Sequence, residues 1–236
     1  MNVQYHKIKN KSYQNVWDFQ TLLHNDLKSQ KKAFLKHSDY IKAKPNFLNH
    51  LLFCEHNHVL TFGKSASESN LITSKETLTQ SNVELFSINR GGDITYHGPG
   101  QITGYLIFDL ELLYRDVHKF VRTIEECIIQ FLKIYEINAF RLKDFTGVWL
   151  GDPHNLRKIC AIGVHLSRWV SMHGFGLNIN TDLSYFNNII PCGIQESNKT
   201  VTSLSQEVGR EIDLNLASIQ LKEIVLDVFG LNELKF

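Results

Sequence analysis

The stretch Arg90–Gln101, RGGDITYHGPGQ, places four glycines, a proline, an arginine, an aspartate and a histidine within twelve positions. A strand-like run, NVELFSIN, comes before it, and a second run, ITGYLIFDL, follows it. Paired strands with a polar, glycine-rich connection present a loop to a ligand on a rigid sheet. Gly91 and Gly92 permit positive φ and let backbone N–H groups approach a bound group. From spacing alone, the stretch is either such a binding loop or a glycine-rich hairpin with incidental polar residues.

The composition describes an ordinary globular protein. Its 236 residues can bury one sizeable core, in one large α/β domain or two small ones, and 43% are hydrophobic and 21% charged. A formal net charge of +1 gives no reason to expect nucleic acid as a partner. The start, MNVQYHKIKN, lacks an apolar signal core, and no apolar run is long enough to span a membrane. We therefore expect a cytoplasmic protein with no membrane partner.

The four cysteines are Cys54, Cys127, Cys160 and Cys192, and none forms a C-x-x-C pair. In the cytoplasm they would be reduced. No pair of cysteine and histidine residues has the spacing of zinc ligands, so we expect no metal site. Cys54 lies in an apolar run and Cys127 beside an apolar helical stripe, which favours a buried structural role for both.

Apolar spacing predicts helices joined to several clustered strands. The predicted helices are Tyr13–Lys28, Asp116–Tyr135 and a last helix from an Asp213 cap to Phe229, ended by Gly230; Ser203 resembles the start of a capping box. The predicted strands are residues 3–8, two short strands within Leu51–Gly63, Thr146–Leu150, Lys158–Leu166 and Ser171–Asn180. Clustered strands between helices indicate a mixed or antiparallel sheet of α+β type, not alternating βαβ units.

A basic run extends from Lys28 to Lys44 and is opposed only by Asp39; its lysines are Lys28, Lys31, Lys32, Lys36, Lys42 and Lys44. Such a run is usually a solvated face. It would also steer an acidic partner, even though the whole chain is nearly neutral. In that case, reversing Lys31 and Lys32 to Glu would raise the KM for an acidic substrate at low salt.

The glycine-rich stretch resembles the signature of lipoyl(octanoyl) transferases. Three further segments follow in that family's order, namely Lys158–Gly163 (KICAIG), His173–Asn180 (HGFGLNIN) and Pro191–Gly193 (PCG). A Glu-His pair at Glu55-His56 also fits the family's pattern. The similarity runs from about Glu55 to Glu207, which is most of the chain.

The resemblance implies one acyltransferase catalytic domain over residues 1–236. Its fold would be that of the biotin and lipoate protein ligase catalytic domain, a mixed β-sheet flanked by helices. The implied reaction moves an octanoyl or lipoyl group from acyl carrier protein to a lysine of lipoyl domains, the first step of endogenous protein lipoylation. The acceptors would be the lipoyl domains of 2-oxoacid dehydrogenase complexes and the glycine cleavage H protein. No cofactor is implied, because phosphopantetheine on the carrier delivers the acyl group.

The resemblance also implies a catalytic pair, Cys192 and Lys158. From the residues alone, Cys192 lies in a turn-like context, IIPCGI, and would usually be a small hydrophobic residue in a loop. The family's acyl-enzyme cysteine falls on Cys192 and its partner lysine on Lys158. A nearby ammonium group favours the thiolate form of a cysteine. Lysine can then give a proton to the departing thiol and take one from the incoming amine.

The acyl group of this family is contacted by three segments. In this sequence they are Arg90, Gly91, Gly92, Asp93, Ile94, Thr95, Tyr96 and His97; then Ala161, Ile162 and Gly163; then Gly174, Phe175 and Gly176. Backbone N–H groups of the second segment, or of Gly91-Gly92, are candidate oxyanion donors. His97 is alternatively a structural residue hydrogen-bonded under the loop. An acyl chain calls for a narrow apolar tunnel with polar groups only at its mouth.

Three other functions fit parts of this pattern. An ATP-dependent lipoate ligase would share the fold and Lys158 but would not need Cys192. A non-catalytic module that binds acyl groups or carriers would keep a tunnel and show no turnover, and a thiol hydrolase would release free octanoate. If the strand alternates regularly, Cys160 shares a face with Lys158. The roles of His56 and His58 cannot be assigned from the sequence.

Overall fold

The computed structural model describes residues 1–9, 11–35, 45–190 and 198–234. The helices are α1 (Tyr13–Leu35), α2 (Lys75–Gln80), α3 (Val117–Lys133), α4 (Leu204–Val208) and α5 (Leu214–Phe229), with short 3-10 turns at Glu68–Asn70 and Leu183–Asn188. The strands are β1 (Asn2–Ile8), β2 (Asn49–Cys54), β3 (Val59–Phe62), β4 (Glu84–Ser87), β5 (Ile94–His97), β6 (Gln101–Ile107), β7 (Phe140–Leu142), β8 (Phe145–Asp152), β9 (Asn155–Ser167), β10 (Val170–Asn178), β11 (Lys199–Val201) and β12 (Asn232–Glu233).

The larger sheet has nine strands within the described residues. Its order is β12-β1-β2-β6-β10-β9-β8-β7, and β11 pairs with β9 beside this path. Strand β1 runs parallel to β2 and β12, and β11 runs parallel to β9, whereas the other neighbours are antiparallel. The sheet is therefore mixed, and the predicted α+β class is confirmed.

A smaller sheet contains the middle of the glycine-rich stretch, Ile94–His97. Its order is β4-β3-β5, with β3 parallel to β4 and antiparallel to β5. The upstream run is β4 of this sheet, whereas the downstream run is β6 of the larger sheet. The two runs do not pair with each other, so the interpretation of the stretch as a connection between paired strands is wrong. Ile94, Thr95 and Tyr96 favour extended backbone, and they form β5 instead of a continuous loop.

Helices cover both faces of the larger sheet. Helices α3 and α5 bury one face in a cluster that includes Phe53, Leu106 and Cys127, and α1 buries the other face in a cluster that includes Leu52 and Tyr105. Successive residues of β2 and β6 enter opposite clusters, as the period of two requires. Cys54 and Cys127 are both buried, as predicted. None of the helices in the described part of the chain combines the length and the apolar character needed to cross a bilayer.

Most helix ends follow the capping residues that the sequence offers. The side chains of Asp116, Ser203 and Asp213 accept backbone N–H groups at the starts of α3, α4 and α5. Gly230 ends α5 with a φ of 62°, in the left-handed region that glycine tolerates. These ends agree with the sequence prediction.

Helix α1 is longer than predicted, because it ends at Leu35 and not at Lys28. The extra turns bring the Lys31 ammonium to 2.8 Å from Asp109 and 2.5 Å from Glu111, and Lys31 is only 3% exposed. The predicted basic docking face is therefore wrong at Lys31, which is part of a buried ion cluster. A charge reversal there would damage the fold before it reported on any partner.

The remaining members of that basic run have different outcomes. Lys32 is exposed on α1 and Lys28 is partly exposed. Lys36, Lys42 and Lys44 lie outside the described residues. A role of Lys28 and Lys32 in steering an acidic partner stays a prediction.

Removing the Lys31 charge leaves Asp109, which is fully buried, without its ammonium partner. We expect Lys31→Met to lower the free energy of unfolding by about 3–5 kcal/mol, since an uncompensated buried charge costs that much. Urea denaturation followed by circular dichroism measures the change. Lys32→Met is the matched control and should stay within about 0.5 kcal/mol of the wild type. Adding Asp109→Asn to Lys31→Met should restore part of the loss; equal midpoints for wild type and Lys31→Met would contradict the assignment.

Candidate active site

Two adjoining cavities lie between the larger and the smaller sheet. The first cavity has a volume of about 40 Å³. Its lining includes ten of the fourteen predicted substrate contacts, namely Arg90, Gly92, Thr95, His97, Ala161, Ile162, Gly163, Gly174, Phe175 and Gly176. The second cavity is lined by Lys158, and it shares Thr95, Ala161 and Gly176 with the first. The predicted lysine and most of the predicted acyl wall therefore meet at one place.

Glycines on the sheet keep this place open. A Cβ on Gly176 would lie 2.8 Å from Oε1 of Gln101 and 3.2 Å from Nδ1 of His97. A Cβ on Gly163 would lie 2.6 Å from the carbonyl oxygen of Gly91. Any side chain at these positions would displace the glycine-rich stretch or its buried polar support. Glycine is therefore needed at positions 163 and 176 for two reasons: the glycine-rich stretch packs closely there, and the cavity stays open for a ligand.

The start of the glycine-rich stretch is fixed by its own hydrogen bonds. The Gly91 N–H donates to the Val164 carbonyl of β9 at 2.9 Å. The Arg90 guanidinium donates to the carbonyl of Thr61 at 2.5 Å and to its hydroxyl at 3.0 Å. Arg90 thus ties the stretch to β3 while its side chain borders the first cavity. Because the Gly91 N–H is already used, the expectation that it donates to an oxyanion does not fit the structure.

Four predicted substrate contacts line neither cavity: Gly91, Asp93, Ile94 and Tyr96. The Asp93 carboxylate accepts the backbone N–H groups of Ser67 and Ile94 and the side-chain amide of Asn70. Ile94 and Tyr96 pack in the hydrophobic cluster of the smaller sheet. These residues therefore hold the backbone of the stretch in place beside the residues that line the cavity.

His97 is hydrogen-bonded within the fold and also borders the first cavity, so its contact with the acyl group stays a prediction. It lines the first cavity, and its Nδ1 lies 2.7 Å from Oε1 of Gln101. Burial lowers the pKa of His97 to about 4, so the ring is neutral at pH 7. Since the amide oxygen can only accept, Nδ1 carries the proton and Nε2 is left as an acceptor. Gln101 continues the network through a 2.9 Å bond to Asn178.

His56 and His58 line neither of the two cavities. Each contacts a tyrosine that lies in or next to the cavity lining. Nε2 of His56 lies 2.7 Å from the hydroxyl of Tyr105, which borders the first cavity, and burial lowers the pKa of His56 to about 3. Nδ1 of His58 lies 2.8 Å from the hydroxyl of Tyr96, and its ring stacks on Tyr185 at 4.1 Å. Both histidines thus contact tyrosine hydroxyls.

Lys158 and Cys160 do not share a face, contrary to the expectation from strand alternation. The register between β8 and β9 shifts, so that Val148 is opposite Cys160 while Trp149 is opposite Lys158. Cys160 packs with Val148 in the cluster on the helix side of the sheet, whereas Lys158 borders the second cavity. Burial raises the pKa of the Cys160 thiol well above its usual value, so it stays protonated and inert.

Pro191, Cys192 and Gly193 lie outside the described residues, so the predicted nucleophile stays a prediction. Both neighbouring segments are attached near the cavities. The Ile190 N–H donates to the Asn70 carbonyl at 2.8 Å, and the Asn198 carbonyl accepts from the Leu156 N–H on β9 at 2.8 Å. Strand β11 then brings Val201 opposite Lys158.

Sequence reasoning missed five residues that line the first cavity: Tyr13, Ile88, Thr103, Tyr105 and His173. Thr103 and Tyr105 follow Gln101 at intervals of two along β6, a signal that the sequence does contain. Tyr13 and Ile88 come from elements that pack across the sheet, which no local pattern reveals. The expected narrow apolar tunnel stays a prediction, since the lining combines glycines and apolar side chains with polar ones.

Among the described residues, no three His, Cys, Asp or Glu side chains come together as a possible metal site. The expectation that the protein uses no metal stays a prediction.

The model of the lipoyl protein ligase A/B catalytic domain family matches residues 12–229. The chain belongs to this family. It is 47% identical over 229 residues to an octanoyltransferase of Parabacteroides distasonis, covering 96% of this chain and 98% of the relative. It is 45% identical over 222 residues to an octanoyltransferase of Cytophaga hutchinsonii, covering 93% of this chain and 89% of the relative. The expected acyltransferase class is confirmed.

Solved structures confirm the predicted fold of this family. A bipartite lipoate protein ligase from Thermoplasma acidophilum, described with its E2 lipoyl domain, superposes with a TM-score of 0.71 at 13% identity, covering 100% of this chain and 87% of the other. A lipoate-protein ligase A bound with ATP gives a TM-score of 0.67 at 13% identity, covering 100% and 90%. At such low identity the likeness extends to the fold alone.

Gly176 borders both cavities, so a side chain there should separate them. We expect Gly176→Val to lower acyl transfer by about 100-fold, because loss of productive positioning costs this much, and to lower the melting temperature by displacing Gln101 and His97. Acyl transfer and thermal unfolding measure the two effects. Gly209→Ala is the control, since Gly209 lines neither cavity and its φ of 71° makes alanine cost about 1–2 kcal/mol. A fully active Gly176→Val enzyme would show that acyl transfer does not need the connection between the two cavities.

Proposed function

We propose that this protein transfers an octanoyl group from acyl carrier protein to a specific lysine of lipoyl domains, through a thioester on Cys192. Octanoyl transfer in protein lipoylation is the activity of its relatives, octanoyltransferases 45% to 47% identical over 89% to 96% of this chain. The observation that carries the proposal is the position of Lys158. Its side chain is buried and borders a cavity that adjoins the wall formed by the three motif segments.

The proposed reaction has two halves: Lys158 gives up a proton in the first and takes one back in the second. In the first, the Cys192 thiolate attacks the carbonyl carbon of the donor thioester, and the phosphopantetheine thiol leaves with a proton from the Lys158 ammonium. In the second, the substrate lysine amine attacks the acyl-enzyme, neutral Lys158 takes the amine's proton, and the Cys192 thiolate leaves. Exchanging one thioester for another is nearly balanced in energy, and forming the amide drives the second half.

Burial of Lys158 supports its proposed role toward the thiol. A free cysteine has a pKa of about 8.5, and a nearby cation lowers it to about 3.5–7.5. Lys158 is only 5% exposed, and charges attract more strongly where water is excluded. The anchored segments on each side of Cys192, at Ile190 and at β11, adjoin the same region and also support the pairing.

The strand pairing favours Ile162 as the oxyanion donor of the second motif segment. Val164 accepts from Gly91 on the edge of β9 that faces away from β10. In a strand, the backbone groups of residues two apart point to the same edge, so the Ile162 N–H shares this edge. The N–H groups of Ala161 and Gly163 point to β10 instead. Ile162 also borders the first cavity.

The proposed acyl chain needs more room than the first cavity offers. Its volume of about 40 Å³ is space for about three water molecules, at roughly 10–15 Å³ each. Binding of an eight-carbon chain therefore requires the surrounding side chains to move apart. Two polar side chains of the wall, Arg90 and Tyr105, already have hydrogen-bond partners in Thr61 and His56, so an apolar chain beside them does not leave them unpaired.

The acceptor belongs to the same proposal. Lipoyl domains are the proteins that carry the modified lysine, and one structural neighbour is described with an E2 lipoyl domain. The lipoyl domains of 2-oxoacid dehydrogenase complexes and the glycine cleavage H protein are the proposed acceptors. A cytoplasmic location, one catalytic domain over residues 1–236 and the lack of a cofactor are parts of the proposal as well.

Two alternatives differ from it in their requirements. An ATP-dependent lipoate ligase would need ATP and would not need Cys192, and a carrier-binding module would show no turnover. The solved lipoate ligases resemble this chain in fold only, at 13% identity, whereas the relatives at 45% to 47% are octanoyltransferases. The transferase is therefore favoured, and ATP-independent transfer is its direct test.

Intact mass spectrometry after incubation with octanoyl carrier protein tests the covalent route. We expect one octanoyl adduct in the wild type, none in Cys192→Ala, and formation slowed about 10²–10⁴-fold in Lys158→Ala, the usual contribution of a general acid or base. Cys160→Ala is the matched control and should keep the adduct, since Cys160 is fully buried. A normal turnover rate in Cys192→Ala would rule the covalent route out.

A further inference from the structure

Trp149 on β8 places its ring beside the ammonium group of Lys158. The Lys158 Nζ lies 4.6 Å from the centroid of the Trp149 ring. This is within the distance of about 6 Å at which a cation is attracted to the face of an aromatic ring. Trp149 is fully buried, and Lys158 is 5% exposed. The contact is therefore shielded from water, where such an attraction is strongest.

The contact exists because of the register shift between β8 and β9. With the register of the Val148–Cys160 pair continued, Lys158 would be opposite Leu150 and not opposite Trp149. One extra residue on β9, Ile159, moves Lys158 by one position. A β-bulge re-aims a side chain in this way and is common beside active sites.

Within the described part of the chain, the indole ring of Trp149 buries an unpaired N–H group, which lowers the stability of the fold. Its Nε1 has no hydrogen-bond partner among the described residues, although a buried tryptophan usually finds one. An aliphatic side chain would fill the position without burying an unpaired N–H group. Among the described residues, the indole therefore contacts Lys158 through its ring face and makes no hydrogen bond through its N–H group.

We propose that Trp149 is a positioning residue for acyl transfer, whose ring face holds the Lys158 ammonium at the second cavity and favours its protonated form. The inference rests on the function proposed above. Burial alone disfavours a charged lysine, and the negative face of the ring opposes that effect. Trp149 would thereby keep Lys158 able to stabilise a thiolate and to protonate the departing thiol.

Other titratable groups lie on the elements next to this pair. Among the described residues they are Arg157 and Cys160 on β9, Lys199 on β11, His97 on β5, Glu125 on α3 and Glu207 on α4, and of these Cys160 and His97 are uncharged at pH 7. Glu207 is paired with Arg157, and Glu125 with Arg122. Lys199 lies 4.4 Å over the ring of Phe145, which meets Trp149 edge-on at 6.0 Å. The two lysines are thus separated by an aromatic pair.

The test measures the titration of Lys158 directly and the transfer rate separately. Carbon-13 NMR of labelled lysine side chains, assigned with Lys158→Arg, gives the midpoint in wild type, Trp149→Phe and Trp149→Leu. We expect the midpoint to fall by about one pH unit in Trp149→Leu and by less in Trp149→Phe, which keeps a weaker ring. Acylation needs protonated Lys158, so its rate falls as the pH rises. The pH at which the rate has fallen by half should be lowered by the same amounts in the two variants.

Val148→Ala is the matched control, because Val148 is the buried neighbour that faces the helices. It should lower stability and leave the Lys158 midpoint and the pH of half-maximal rate unchanged. If Trp149→Leu does not fold, Trp149→Met and Trp149→Phe provide the same comparison. An unchanged midpoint in the aliphatic variant overturns the inference, and so does a pH of half-maximal rate that stays in place while the midpoint moves. Failure of the proposed function is a separate result, namely no acyl-enzyme in the wild type.

Discussion

The site depends on the close contact between the glycine-rich stretch and strand β9. The Gly91 N–H bonds to the Val164 carbonyl at 2.9 Å, and this approach is possible because Gly163 has no side chain. The contact brings the smaller sheet over the larger one and thereby encloses the first cavity. Arg90 reinforces it from the other side through Thr61. Backbone geometry, more than side-chain chemistry, thus sets the shape of the cavity.

A second layer of buried polar groups holds the lining residues in place. His97, Gln101 and Asn178 form one hydrogen-bonded chain, and Asn178 donates to the Thr202 carbonyl next to β11. The Thr202 N–H in turn donates to the carbonyl of Lys158 at 3.0 Å. The cavity wall and the lysine strand are therefore parts of one network. Buried networks of this kind specify a single arrangement when their members are satisfied.

Sequence reasoning found what is encoded locally. The helices α3 and α5 and their caps at Asp116 and Asp213 follow from spacing. Most residues of the lining follow from the family resemblance of three motif segments. It failed where the result depends on contacts between distant segments. Ile94–His97 joined a separate sheet, and Lys31 found Asp109 and Glu111 far along the chain. The register shift that separates Lys158 from Cys160 leaves no mark in the sequence, because it depends on how β8 pairs with β9.

Helix α1 connects the cavity to the opposite end of the sheet. Its first residue, Tyr13, borders the first cavity, and Lys31 forms ion pairs with Asp109 and Glu111. The eighteen positions between them equal about five turns at 3.6 residues per turn, so both side chains leave the helix in the same direction. Adding or deleting one residue between them would rotate one end by about 100° relative to the other. The spacing between Tyr13 and Lys31 along this helix is therefore fixed from both ends.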